Sequence, residues 1–305
     1  MQINEKGFTL IELLIATTLG LILVAVAVQL VISGQINYKI QQAASSVQDT
    51  GVFSLNAVTK NIRLANHGNA GAMNDETLYG GIVLDENNLQ GLNITAADYV
   101  SEENSQDAGF NAGFGSDQLV IMYQAPVDMV TCTGENIDGP VTSIDEEGFN
   151  SERGEYVIEK YYLKGRGAGK SGADLYCKSV TFFHRELVST PEGGTPDLIS
   201  VTVNNEQMIA PNVDFMRVML KVRNSDQSTA TMSLDAYKDI VETKPAIIGI
   251  DLAWLAKSNE IVQNNKIYNF QVLDKDLEAP QDKYMRHVYS TTVALRNGGL
   301  GDIIE

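Results

Sequence analysis

The chain has 305 residues, 44% of them hydrophobic and 20% charged, ordinary globular usage that excludes both a mostly disordered chain and a polytopic membrane protein. Lys and Arg number 22 against 39 Asp and Glu, a formal charge of −17, and such a surface repels the phosphates of nucleic acid rather than neutralising them. With 3 His and 2 Cys there is also little material for a zinc site, and no metal or cofactor is assigned.

In chain order the first predicted element is Phe8 to Ser33, FTLIELLIATTLGLILVAVAVQLVIS, in which Glu12 is the one ionisable residue. As a helix its 26 positions reach about 39 Å, against roughly 30 Å for the hydrocarbon core of a bilayer, so a single transmembrane segment is predicted. The run exceeds the roughly 7–15 residues of a secretory signal core, and no small-x-small cleavage site closes it. Glu12 is the anomaly. A carboxylate inside a membrane span costs a few kcal/mol unless it finds a partner, so it marks a functional position.

Met1 to Gly7, MQINEKG, is a short polar leader that ends in Gly, and GFTLIE places the acid five residues beyond that glycine. Leader, glycine, aromatic, acid and apolar span in this order resemble the type IV prepilins. The resemblance implies that a membrane prepilin peptidase cuts between Gly7 and Phe8 on the cytoplasmic side and N-methylates Phe8, leaving the apolar helix on the protein. The amine created at Phe8 is then the expected partner of Glu12 from an adjacent subunit. Opposite charges are tolerated in low dielectric when paired, and removing one of them is expensive.

From Ile36 to Ala65 apolar residues recur at spacings of three and four (Ile40, Ala43, Val47, Val58, Ile62), the period of an amphipathic helix. No proline interrupts Phe8 to Asn66, and Asn66, His67 and Gly68 supply a stop signal, which predicts one helix about 88 Å long. Its second half is expected to lay one face on a head domain. Gly20, Gly34 and Gly51 are expected to be merely tolerated in it, each at up to about 1 kcal/mol relative to Ala.

Beyond Gly68, short runs rich in β-branched and aromatic residues predict strands over Gln118 to Tyr123, Tyr156 to Leu163, Leu175 to Phe183, Leu198 to Val203, Phe215 to Val222, Ile247 to Leu255 and Tyr289 to Leu295. Their separations favour antiparallel pairing. The expected fold is therefore α+β and pilin-like, a long N-terminal helix packed on an antiparallel β-sheet head. The chain divides into leader 1–7, membrane or filament-core helix 8–33, amphipathic continuation 34–66 and a periplasmic head 67–305.

Ser101 to Ser116 and Thr133 to Glu155 are rich in Gly, Ser, Asn and acid and are expected to be solvated loops, because neither carries the spacing of an EF-hand. Cys132 and Cys177 both fall in the head, where a disulfide is the natural reading, with two buried thiols as the alternative. Lys164 to Ser171, KGRGAGKS, lacks the first glycine of a phosphate loop and reads as a basic hairpin loop. His67, His184 and His287 are scattered, no nucleophile stands at a diagnostic spacing from any of them, and no catalytic residue is assigned.

Later segments are similar to the PilW-type minor pilins: NIRLANHG, DQLVIMYQ, APNVDFMRVMLKVR, IIGIDLAWLAKS and MRHVYSTTVALRN, in that order. This resemblance implies a structural subunit and not an enzyme. It would join other minor pilins, prime polymerisation of the major pilin on the inner-membrane assembly platform, and sit at the pilus tip beside an adhesin. A J-type pseudopilin of type II secretion is the alternative. The enlarged acidic loops depart from the family pattern.

Overall fold

The computed structural model describes residues 7–106, 114–145, 148–152, 154–167, 172–183, 199–262, 269–278, 280 and 282–298; the leader before Gly7, residues 168–171 of the basic loop and His184 lie outside them. Helix α1 runs over Leu10–Ile62, 53 residues or about 80 Å. It starts later than the apolar pattern because Thr9 caps it. The Thr9 hydroxyl accepts from the Glu12 N–H at 3.3 Å, and the Glu12 carboxylate accepts from the Thr9 N–H at 3.1 Å, a reciprocal capping box. At the other end the chain leaves the helix through turns to Asn66, whose φ of 65° is left-handed. The Asn66 N–H donates to the Met122 carbonyl at 3.0 Å and its side chain accepts from the Gly81 N–H at 3.0 Å, which folds the chain back onto the head.

After two 3-10 turns, Glu86–Leu89 and Ala96–Tyr99, come β1 (Glu102–Gln106) and β2 (Ser116–Gln124). The acidic stretches expected to be loops carry β1, the hairpin of β5 (Val141–Asp145) with β6 (Gly148–Glu152), and β4 (Asn136–Ile137), which pairs with β3 (Met129–Val130) just before the second stretch. Then follow β7 (Tyr156–Gly165), β8 (Ala173–Phe182), β9 (Thr202–Val203) and β10 (Gln207–Ala210). Of the strand expected over Leu198 to Val203, Leu198 lies outside the described residues and the rest forms β9 and an isolated bridge at Ile199. The chain ends with β11 (Val213–Arg223), β12 (Thr229–Ser233), the short α2 (Leu234–Lys238), β13 (Ala246–Ile261), β14 (Asn269–Val272), β15 (Lys275–Glu278) and β16 (Tyr284–Ala294).

Among the described residues, two antiparallel sheets dominate. One has the order β1-β2-β7-β8-β10 with β9 beside β8, and the other has the order β12-β11-β13-β16. Their central strands β2 and β13 are covered on two faces over most of their length, which is why these read as apolar runs and not as alternations. Odd residues of β2, Leu119, Ile121 and Tyr123, join Val58 and Ile62 of α1 and Trp254 of β13 in the main core. Even residues, Val120 and Met122, pack under Tyr79, Val83, Leu89 and Tyr99 from the segment before β1. Phe215 and Leu255 of the second sheet are covered by Val272 and Leu277 of the β14–β15 hairpin.

Helix α1 lies on β13 and β16 and buries Ala43, Val47, Thr50, Gly51, Ser54, Val58, Asn61 and Ile62 against the head. Docking begins at Ala43, later than the amphipathic pattern suggests, because Ile36 and Ile40 are still 38% and 39% exposed. Gly51 proves to be required and not tolerated: a Cβ there would stand 2.2 Å from Cδ2 of Tyr289, so its absence is what lets the helix approach β16.

Candidate functional site

Every side chain from Gly7 to Gln42 is exposed. The helical part of this segment, Leu10 to Gln42, is about 50 Å long, and its most apolar 18-residue window has a mean hydropathy of 2.5 with nothing from the head upon it. So large an apolar surface exceeds what a monomeric soluble protein exposes by several-fold, and it fits lipid or a bundle of like helices. At its tip Phe8 is 90% exposed and Glu12 turns back on Thr9, accepting from both its N–H and its hydroxyl at 3.1 Å. Thus Glu12 has a partner in its own chain. A carboxylate has about four lone-pair sites, so it retains capacity for a second cation or donor. The Thr9-x-x-Glu12 spacing that encodes this cap is legible in the sequence.

The root of the helix is fixed by a polar node that sequence reasoning missed. Asn61 donates to both oxygens of the fully buried Glu159, at 3.1 and 3.0 Å. Glu159 also accepts from the hydroxyls of Tyr123 (3.0 Å) and Tyr161 (2.6 Å) and from the Cys132 N–H (2.7 Å). Burial raises the Glu159 pKa and these bonds only partly offset it. The signal was an acid within the apolar run YVIEKYYL, on a strand buried on both faces.

Cys132 is bonded to Cys177 of β8, with Cα atoms 6.2 Å apart and a sequence separation of 45. In the chain-entropy model a loop of that size stabilises the fold by up to about 4 kcal/mol. The bond also holds in place the backbone N–H that Glu159 accepts from.

Of two further ionic clusters, the first ties the two sheets together and the second lies within the second sheet. Arg217 of β11 reaches Asp117 at 3.1 Å, Glu103 at 2.8 Å and Asp274 at 2.6 Å. Asp214 holds Lys257 at 3.2 Å and Arg286 at 2.9 Å, and Arg286 also pairs with Asp282 at 2.6 Å. The basic loop is neutralised at its base, where Lys164 pairs with Glu206 and Arg166 with Asp174. His67 makes a 2.8 Å contact through Nδ1 with the Gln124 carbonyl, and His287 packs edge-on to Tyr289. Neither stands beside a nucleophile in these contacts.

Comparison with known proteins bears on both ends of the chain. Residues 3–28 match the family described as the prokaryotic N-terminal methylation motif, and residues 160–297 match that of type IV pilus-assembly protein W. No curated protein matches. Among solved structures a type IV-like pilin from Thermus thermophilus aligns at 11% identity over 82% of this chain and 96% of that one, with a TM-score of 0.38, too weak a likeness to carry an argument. A bare apolar helix bearing the methylation motif is thus joined to an antiparallel β head whose later part is similar to the type IV pilus-assembly protein W family.

Proposed function

We propose that this chain is a minor pilin: a subunit made in the inner membrane, cut by prepilin peptidase between Gly7 and Phe8, methylated at Phe8, and assembled with other minor pilins to prime growth of the major-pilin filament, at whose tip it stays. The observation that carries this reading is the unpartnered helix from Leu10 to Gln42, which is long enough to cross a bilayer first and to line a filament core afterwards. A subunit that moves from lipid into a helical bundle exchanges one apolar surrounding for another, so transfer costs little apolar burial. Glu12 is then the element that distinguishes the two states, because only the bundle offers it the amine of a neighbouring Phe8. The head, with its disulfide and ion clusters, supplies the surface that meets other subunits.

Deletion of the coding sequence tests the role. Loss of surface pili and twitching, restored by the full chain, is the expected result; normal piliation with exoproteins trapped in the periplasm would overturn it in favour of a secretion pseudopilin.

A further inference from the structure

On a chain of charge −17 the exposed face of the first sheet carries an unexpected concentration of lysine. Lys160 of β7 and Lys178 of β8 are direct cross-strand partners. Like charges placed opposite one another on a sheet are destabilising. Neither ammonium forms an ion pair among the described residues: Lys160 donates to the Asp98 carbonyl at 2.8 Å, and Lys178 stands 5.4 Å from the centre of the Tyr99 ring. Burial lowers the Lys160 pKa most; the Asp98 and Glu102 carboxylates work against that shift, and Lys178 adds a smaller lowering.

The two lysines line a cleft of about 560 Å³ between the 3-10 turn at Tyr99 and the segment Val203 to Glu206. Tyr99 is 3% exposed, and its hydroxyl has no hydrogen-bond partner among the described residues although it belongs to the cleft wall. A buried hydroxyl left unpaired is unfavourable, so an occupant that bonds to it is favoured here. The opposite rim offers amides from Asn204 and Asn205, with the Asn204 amide donating to the Ser179 hydroxyl at 2.9 Å. Two carboxylates also line the cleft, Asp98 and Glu206; Glu206 is engaged by Tyr162 and Lys164 and is attracted to Lys178 without forming an ion pair with it among the described residues.

We propose that this cleft binds a saccharide bearing an anionic group, with Lys160 and Lys178 holding the anion and Tyr99, Asn204 and Asn205 meeting the sugar hydroxyls. Opposed ammoniums call for negative charge between them. The volume lies within the roughly 300–1,000 Å³ of small-molecule sites, more than a lone oxyanion fills. The amides and the tyrosine hydroxyl supply the directional contacts that a polyol needs. The anionic group is a carboxylate, as in a uronic acid, or a phosphate ester, and titration separates the two. This inference concerns the head alone and stands whether or not the chain acts as a minor pilin.

The test is calorimetric titration of the full chain in a polyoxyethylene detergent, which has no sugar headgroup, with digalacturonate, glucose 6-phosphate, lactose and inorganic phosphate. Saturable binding of digalacturonate or of glucose 6-phosphate is expected, whichever the anion, weakened by added salt and by roughly tenfold or more in Lys178→Gln or Lys160→Gln. Tyr99→Phe, which removes only the hydroxyl, should weaken it by a smaller factor, and the lysine variants should melt no lower than the parent because an opposed pair of like charges has been relieved. Binding of inorganic phosphate as tight as that of either acidic sugar, equal binding of lactose, unchanged affinity in Lys178→Gln, or no saturable heat with any probe would overturn the proposal.

Discussion

Two demands meet at Glu12. Within one chain its carboxylate closes the capping box of α1 with Thr9, and in the proposed filament the same carboxylate neutralises a neighbour's amine. The two can be separated by substitution. Glu12→Ala removes both and should loosen the helix start by about 1 kcal/mol as well as block assembly. Glu12→Gln keeps the capping geometry, since Gln serves at this position of the box, yet removes the charge. An uncompensated charge buried in low dielectric costs about 3–5 kcal/mol, so Glu12→Gln should be retained in the membrane with normal helix content and be nearly absent from sheared filaments. Immunoblots of the two fractions decide it, and wild-type incorporation of the Gln variant would remove the charge-pairing account.

At the level of elements the notable joint is the seating of α1 on β16. Gly51 leaves a notch into which the ring of Tyr289 fits, and any side chain there collides at 2.2 Å. Gly51→Ala gains up to about 1 kcal/mol of helix propensity but forces the ring or the helix to move, at about 1–3 kcal/mol. The expected net result is a lower melting temperature for the head. In Tyr289→Ala the same Gly51→Ala change should become neutral or stabilising, a non-additivity that thermal melts of the single and double variants would show. Of the two sheets, β1, β10 and β12 went unpredicted, but the longer strands were legible in the sequence because doubly covered strands keep β-branched and aromatic residues on both faces, as in LVIMY of β2 and IIGIDLAWL of β13. The short hairpins were not, since β3 to β6 are held by backbone pairing in an acidic, turn-rich stretch with little apolar pattern. The Gly51 notch and the Asn61–Glu159 node escaped for a different reason: each is a contact between residues far apart in the chain, and a single residue type says nothing of its distant neighbour. Of the assembly surface the apolar span and the Thr9–Glu12 spacing could be read directly, whereas the start of docking at Ala43 depends on where the head ends.

For the whole molecule, net negative charge and buried carboxylates set the response to pH. Asp117 is raised from 3.8 to about 6, chiefly by burial, because the one guanidinium of Arg217 is shared among three acids. Between those values the folded chain holds a proton that the unfolded chain has lost, so stability should rise as pH falls from 7 toward 4, on a scale of roughly 1.4 kcal/mol per pKa unit. Glu159, also raised by burial, acts in the same direction. Below that window the sign reverses. Burial works against ionisation of Glu103, Asp274 and Asp282 as well, but hydrogen bonds and the neighbouring guanidinium charges outweigh it, so their pKa values are lowered in the fold and their protonation removes stability. Thermal melts should therefore peak in mildly acidic buffer, and Asp117→Asn should flatten the rise between pH 7 and 4; an unchanged slope would show that Asp117 is ionised throughout. The order of contacts along α1 has a mechanical consequence for a filament subunit. Traction on the apolar half enters the head at Ala43 and must peel away Val47 and the Gly51 notch before it strains the bonds from Asn61 to Glu159. The firmest grip thus lies farthest from the pull, and the covalent clasp at Cys132 keeps its socket shut while the nearer contacts yield.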